Sequence, residues 1–158
     1  MKKLFPLLAF ILVGAGCYPA AAPAPEPSPT LTPPPAITMT ADGKAVAGVE
    51  GSYCYGTTCV DKIAPPELVK ESGLGFTTVS RGAATFTSSA NMSSVSVNVQ
   101  GVTGASIDSA SADLKKDASG GFAYKVPASL PAGDYYLIAS AQFESGGDGS
   151  FIFPIHLK

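Results

Sequence analysis

The sequence predicts an all-β protein: a β-sandwich with one short helix, preceded by a signal peptide and a disordered, proline-rich stalk. Three observations predict it. Apolar residues recur with period two in four stretches of the second half, which is the periodicity of half-buried strands. Turn signals built on glycine, proline and aspartate separate these stretches at short intervals. Only 14% of the 158 residues are charged, against about 25% in an ordinary soluble domain, and Ser, Thr and Gly take their place. That composition suits an exported β-rich chain better than a cytosolic α/β enzyme. With 10 Lys and Arg against 12 Asp and Glu there is no basic surplus, which excludes nucleic acid as the leading partner. The length allows one domain with appendages.

The first element is MKKLFPLLAFILVGAGC. Lys2 and Lys3 give a positive start, Leu4 to Val13 an apolar run, and Gly14, Ala15 and Gly16 the small residues of a cleavage site. This is the layout of a secretory signal, and the run falls short of the ~20 residues a spanning helix needs. A cysteine directly after small residues resembles the lipobox of bacterial lipoproteins, although Gly14 stands where that family prefers Leu. The resemblance implies a signal peptide over 1–16, cleavage before Cys17, and a diacylglycerol on the Cys17 thiol. The partner is then the cell membrane or outer membrane, with the domain outside the cytoplasm. An ordinary signal peptide with a chance cysteine is the alternative. Cleavage would remove Lys2 and Lys3 but no acid, taking the formal net charge from −2 to −4. Attachment must then rest on acyl chains, two of which hold stably where one does not.

Residues 17–35 form the second element, the candidate lipidated cysteine followed by YPAAAPAPEPSPTLTPPP, which holds eight of the fourteen prolines. Proline fixes φ and cannot donate to a ladder, so this stretch is an extended spacer reaching at most roughly 55 Å at about 3.1 Å per residue.

The third element is the domain, 36–158. Val95, Val97 and Val99 alternate with Ser94, Ser96 and Asn98; Phe122, Tyr124 and Val126 alternate with Ala123 and Lys125; Phe151, Phe153, Ile155 and Leu157 share one face. Tyr135, Leu137, Ala139, Ala141 and Phe143 line one face of a longer strand whose other face carries Tyr136 and Ile138, so that strand is expected at the centre of its sheet. Asp42-Gly43, Gly101, Gly120-Gly121, Pro131-Ala132-Gly133 and Gly146-Gly147-Asp148-Gly149 supply turns. In APPELVKESG, Pro65-Pro66 opens a short helix at Glu67 and Gly73 closes it.

With Cys17 assigned to lipid, Cys54 and Cys59 remain as an even pair in an oxidising compartment, which predicts a structural disulfide. Four intervening residues fit a redox motif poorly, and zinc would need two more ligands where only His156 offers nitrogen. The block GSYCYGTTCVD with the following APPELVKE is similar to a segment of small, uncharacterised bacterial surface lipoproteins: an aromatic residue, here Tyr55, follows the first cysteine, an acid, Asp61, follows the second, and Pro66-Glu67-Leu68 comes next. SLPAGDYYLIASAQF resembles the penultimate strand of bacterial immunoglobulin-like and fibronectin-like modules. These resemblances imply a lipid-anchored, immunoglobulin-like β-sandwich and carry no catalytic residue.

Catalytic machinery is not legible. His156, the one histidine, is expected on a solvent-facing strand position, and neither G-x-S-x-G nor S-x-x-K occurs. Asp108, Asp113 and Asp117 lack the spacing of a calcium loop. No metal site and no cofactor is therefore expected. One candidate binding element survives, the clamped loop with Tyr53, Tyr55, Thr57 and Thr58, since tyrosines offer rigid contact area and hydroxyls adaptable hydrogen bonds; the competing reading tucks Tyr53 or Tyr55 into the core. Function is then expected to be a non-catalytic binding or envelope-structural module for an envelope protein or glycan. The alternatives are a secreted carboxylate-dependent hydrolase, using acids such as Asp61 and Glu67, and an inhibitor or immunity-type lipoprotein acting through the disulfide loop.

Overall fold

The structure, a computed structural model, describes residues 32–158. The signal peptide expected over 1–16, the lipidation site Cys17 and most of the proline-rich stretch lie outside the described residues.

Two sheets form the domain. The first holds β1 (Ile37–Ala41), β2 (Lys44–Val46), β6 (Ala83–Ser88) and β9 (Phe122–Lys125) in the order β2-β1-β6-β9. The second holds β3 (Val49–Tyr55), β4 (Thr58–Val60), β7 (Met92–Gly101), β8 (Ala112–Leu114), β10 (Gly133–Phe143) and β11 (Asp148–Leu157) in the order β4-β3-β11-β10-β7-β8. From β6 the chain crosses to β7 and β8 in the second sheet, returns to β9 in the first, and crosses again to β10 and β11, so that β1-β6-β9 stands against β7-β10-β11. This is the Greek-key pattern of an immunoglobulin-like sandwich. The segment between β1 and β6 adds a β3–β4 hairpin, the helix α1 (Pro65–Ser72) and β5 (Thr77–Val79).

The edge of β11 is shared by two partners. β3 runs antiparallel along Asp148 to Ile152, and β5 runs parallel along Ile155 to Leu157. Pro154, which cannot donate to a ladder, falls in the gap between them, where no strand on that side asks for its N–H.

The core is the alternation made physical. Val95, Val97 and Val99 of β7, Leu137, Ala139 and Ala141 of β10, and Phe153, Ile155 and Leu157 of β11 are all at most 2% exposed. They meet Met39 of β1 and Phe86 of β6 from the opposite sheet. The rings of Phe86 and Phe153 stand 5.6 Å apart across the sandwich. Tyr124 sends its hydroxyl to the Ala110 carbonyl, and burial pushes its phenol up to about 12.

β10 is central, as its two apolar faces imply, and α1 explains the second face. Val69, Leu68 and Leu74 cover Tyr136, Ile138 and Ile152 on the outer side of the second sheet. The helix starts at Pro65, two residues before the expected Glu67, because proline at the first turn loses no helical hydrogen bond. It ends at Gly73, whose φ of +72° caps it.

Two aspartates hold turns. Asp42 of the β1–β2 turn accepts the Ser80 amide at 2.7 Å. Asp117 Oδ1 accepts the amides of Ser119 at 2.8 Å and Gly121 at 3.0 Å, besides the Ser119 hydroxyl at 2.6 Å. These bonds hold both carboxyls below their ordinary value of 3.8, led by the Ser80 backbone bond at Asp42 and the Ser119 hydroxyl at Asp117. A lowered native pKa contributes stability that is present above the unfolded value and lost as pH falls through the native one. The thermal midpoint is therefore expected to decline below about pH 4, and Asp117→Asn to decline less. An equal decline in that variant would remove Asp117 from this role.

Candidate functional site

The disulfide hairpin is the element that the sequence singles out. β3 and β4 pair with Tyr55 opposite Thr58, leaving a two-residue turn of Gly56 and Thr57. Gly56 takes φ +61°, the position at which a type II′ turn calls for glycine. Cys54 and Cys59 are directly opposed in this register, with Cα atoms 4.0 Å apart, and are joined by a disulfide. Both are exposed. Closing so short a loop contributes about 2 kcal/mol in the chain-entropy model.

The tyrosines of this hairpin are largely occupied by the fold. Tyr53 is 6% exposed. Tyr55 is half-buried, edge-on to Phe143 at 5.7 Å, and its hydroxyl meets Ser145 Oγ at 3.0 Å. Thr57 is exposed and Thr58 half-buried, so the free surface here is small. Pro34, which composition assigns to the stalk, is buried at the same end of the domain: a Cβ on Gly149 would come within 3.0 Å of its ring. The chain thus enters the domain beside the β10–β11 turn and the disulfide hairpin.

A larger polar surface lies on the outer face of the second sheet. Register places Asp113, Ser96, Ser140 and Ser150 in one row across β8, β7, β10 and β11. The neighbouring row runs Ser94, Gln142, Asp148 and Cys54. Where α1 covers the apolar half of this face, the serine-bearing half stays open. Ser94, Ser96, Asp113, Ser140, Gln142 and Asp148 line a trough of about 420 Å³ there. Ser94 Oγ donates to Gln142 Oε1 at 3.3 Å. The hydroxyls of Ser96 and Ser140 make no hydrogen bond to a described residue. The trough offers hydroxyls, a primary amide and two carboxylates, with Val95, Leu114 and Ala141 completing its lining.

Its two carboxylates are borne by backbones well separated across the sheet. Asp113 and Asp148 are separated by three inter-strand steps, about 14 Å at 4.7–4.9 Å each, whereas paired carboxylates in glycoside hydrolysis stand within about 10 Å. Asp61 and Glu67 are both exposed and joined by no hydrogen bond. Asp108, Asp113 and Asp117 are dispersed over a 3₁₀ turn, β8 and a tight turn. Among the described residues no group of three His, Cys, Asp or Glu side chains could hold a metal ion.

His156 is exposed, on the face expected for it, and its Nδ1 meets Asp134 Oδ1 of β10 at 2.7 Å. Thr78 of β5 stands next to it in register, so hydroxyl, imidazole and carboxylate share one row. No hydrogen bond joins Thr78 to the ring, and the row is a surface feature without a cleft.

The chain matches no protein-family model, no curated protein and no solved structure.

Proposed function

We propose that this protein is a lipid-anchored, extracytoplasmic β-sandwich that binds an envelope glycan, without catalysis, in the open trough on the outer face of its second sheet. The observation that carries the reading is the trough lining. Serine hydroxyls and the Gln142 amide each donate and accept, which matches the paired donor and acceptor character of sugar hydroxyls. No serine hydroxyl of the trough is hydrogen-bonded to a carboxylate or to a histidine among the described residues, which supports contact over bond cleavage.

Anchoring rests on Cys17 after Gly14-Ala15-Gly16. Cys17→Ser is expected to move the protein from the detergent phase to the aqueous phase, or to leave it uncleaved; partition identical to the parent contradicts the anchor.

Binding is tested by retention on immobilised envelope polysaccharide. Ser140 is exposed at the middle of the trough, so Ser140→Arg fills it while changing stability by only about 0.5 kcal/mol. Retention should fall at least tenfold. Unchanged retention places binding elsewhere.

A further inference from the structure

We propose that the corner of the second sheet formed by Glu67, Phe76, Gln100, Asp134 and Tyr136 is a second binding site, for the ammonium or guanidinium group of a lysine or arginine side chain in a partner peptide. It lies towards the opposite end of β10 from the turn beside which Pro34 is buried, and shares no residue with the trough.

Tyr136 is only 6% exposed. The hydroxyls of Tyr55, Tyr124 and Tyr135 are each hydrogen-bonded, whereas those of Tyr136 and Tyr53 take no partner among the described residues, and of these two only Tyr136 has carboxylates beside it. Burial, then the carboxylates of Asp134 and Glu67, push this phenol above its ordinary value, so both acids are within electrostatic reach of it. Phe76, 37% exposed, lies with its ring centroid 5.5 Å from that of Tyr136. Gln100 stands directly across from Tyr136 in register. Its Oε1 is buried without a partner, as is Oδ1 of Asn98 two residues earlier on the same face.

The corner therefore offers negative charge, the unpartnered Tyr136 hydroxyl and an aromatic ring; His156 already meets Asp134 Oδ1, which leaves Asp134 Oδ2 and the Glu67 carboxylate as its acceptors. An ammonium brings three donors and no acceptor, a guanidinium five. The aliphatic stem of either side chain lies along Phe76, whose face also attracts the cation. Anions are repelled, and a neutral sugar gains nothing from the negative charge of the two carboxylates.

The test titrates the full chain in detergent, followed by NMR, with Nα-acetyl-lysine methylamide, its arginine counterpart, the uncharged norleucine counterpart and glucosamine. Saturable shifts of the Phe76, Tyr136 and His156 ring signals are expected with lysine and arginine and not with norleucine. Phe76→Ala should weaken binding about two- to fivefold, the range of an exposed cation–π contact. Asp134→Asn should weaken it and flatten its salt dependence, and Lys44→Ala on β2 should leave it unchanged. Circular dichroism of each variant confirms folding, and Phe76→Leu keeps the packing if Phe76→Ala does not fold. An equal response to norleucine, undiminished binding in Asp134→Asn, or no saturation with either cation overturns the site. Tighter binding of glucosamine than of lysine overturns the peptide assignment.

Discussion

Phe153→Ala is expected to destabilise the domain by about 3–5 kcal/mol, the range for removing a buried aromatic ring. The ring is fully buried, faces Phe86 across the two sheets, and presses against Gly48, where an added Cβ would come 2.5 Å from Phe153 Cε1. Little around it can collapse into the space, because both contacts belong to strands or strand ends fixed by ladders. With native domains stable by only about 5–15 kcal/mol, the loss shows as a large drop in the urea midpoint at unchanged m-value. A cost below about 1 kcal/mol, the surface range, would mean that β11 does not face β6 and that the two sheets are not packed as described.

Gly147→Ala is the second large effect. Gly147 takes φ +88°, and an added Cβ would stand 2.5 Å from the Cys54 carbonyl oxygen and 3.0 Å from Tyr55 Cα. Backbone strain alone costs about 1–3 kcal/mol at such a φ. The clash is with backbone, so the disulfide hairpin must move off β11 as well. Gly146→Ala separates the two terms: its φ is +95° but nothing lies within 4 Å, so it carries the strain without the clash. Urea unfolding should rank Gly147→Ala clearly below Gly146→Ala, and the Cys54–Cys59 bond should be reduced faster by a thiol in the former. Equal stability of the two variants would detach the hairpin from the β10–β11 turn.

The long strands were legible because each carries its own evidence. β7, β10 and β11 run ten or eleven residues, long enough for alternation to repeat, and the Asp-Gly and Gly-Gly turns between strands have a backbone reason. β2, β4, β5 and β8 have three residues each, too few to show a period, and exist because a neighbouring strand offers a ladder. β6 turns only Ala84 and Phe86 inward, and nothing in AATFTS distinguishes it from a loop until β1 and β9 flank it. The helix was readable from its prolines and closing glycine, yet its cover over Tyr136, Ile138 and Ile152 is a tertiary fact.

The functional surface was legible in part. Cysteine arithmetic led to the Cys54–Cys59 bond, but it could not say whether Tyr55 faces solvent or Phe143, since tyrosine is at home in either place. Ser94 and Ser96 show as the outward side of β7. Asp113, Ser140 and Asp148 join them only through strand register, across more than fifty residues of sequence, and no local pattern records that. In the sequence, the corner around Tyr136 shows only as the second face of a central strand.

The most direct measurement of the proposed role is an NMR titration of the full chain with oligosaccharides released from a bacterial envelope. Amide shifts are expected to concentrate at Ser94, Ser96, Ser140 and Gln142, to saturate, and to leave the oligosaccharide uncleaved. Shifts centred on Thr57 and Thr58 of the disulfide hairpin, no saturable shift on the outer face of the second sheet, or release of shortened sugars would contradict a non-catalytic glycan-binding trough.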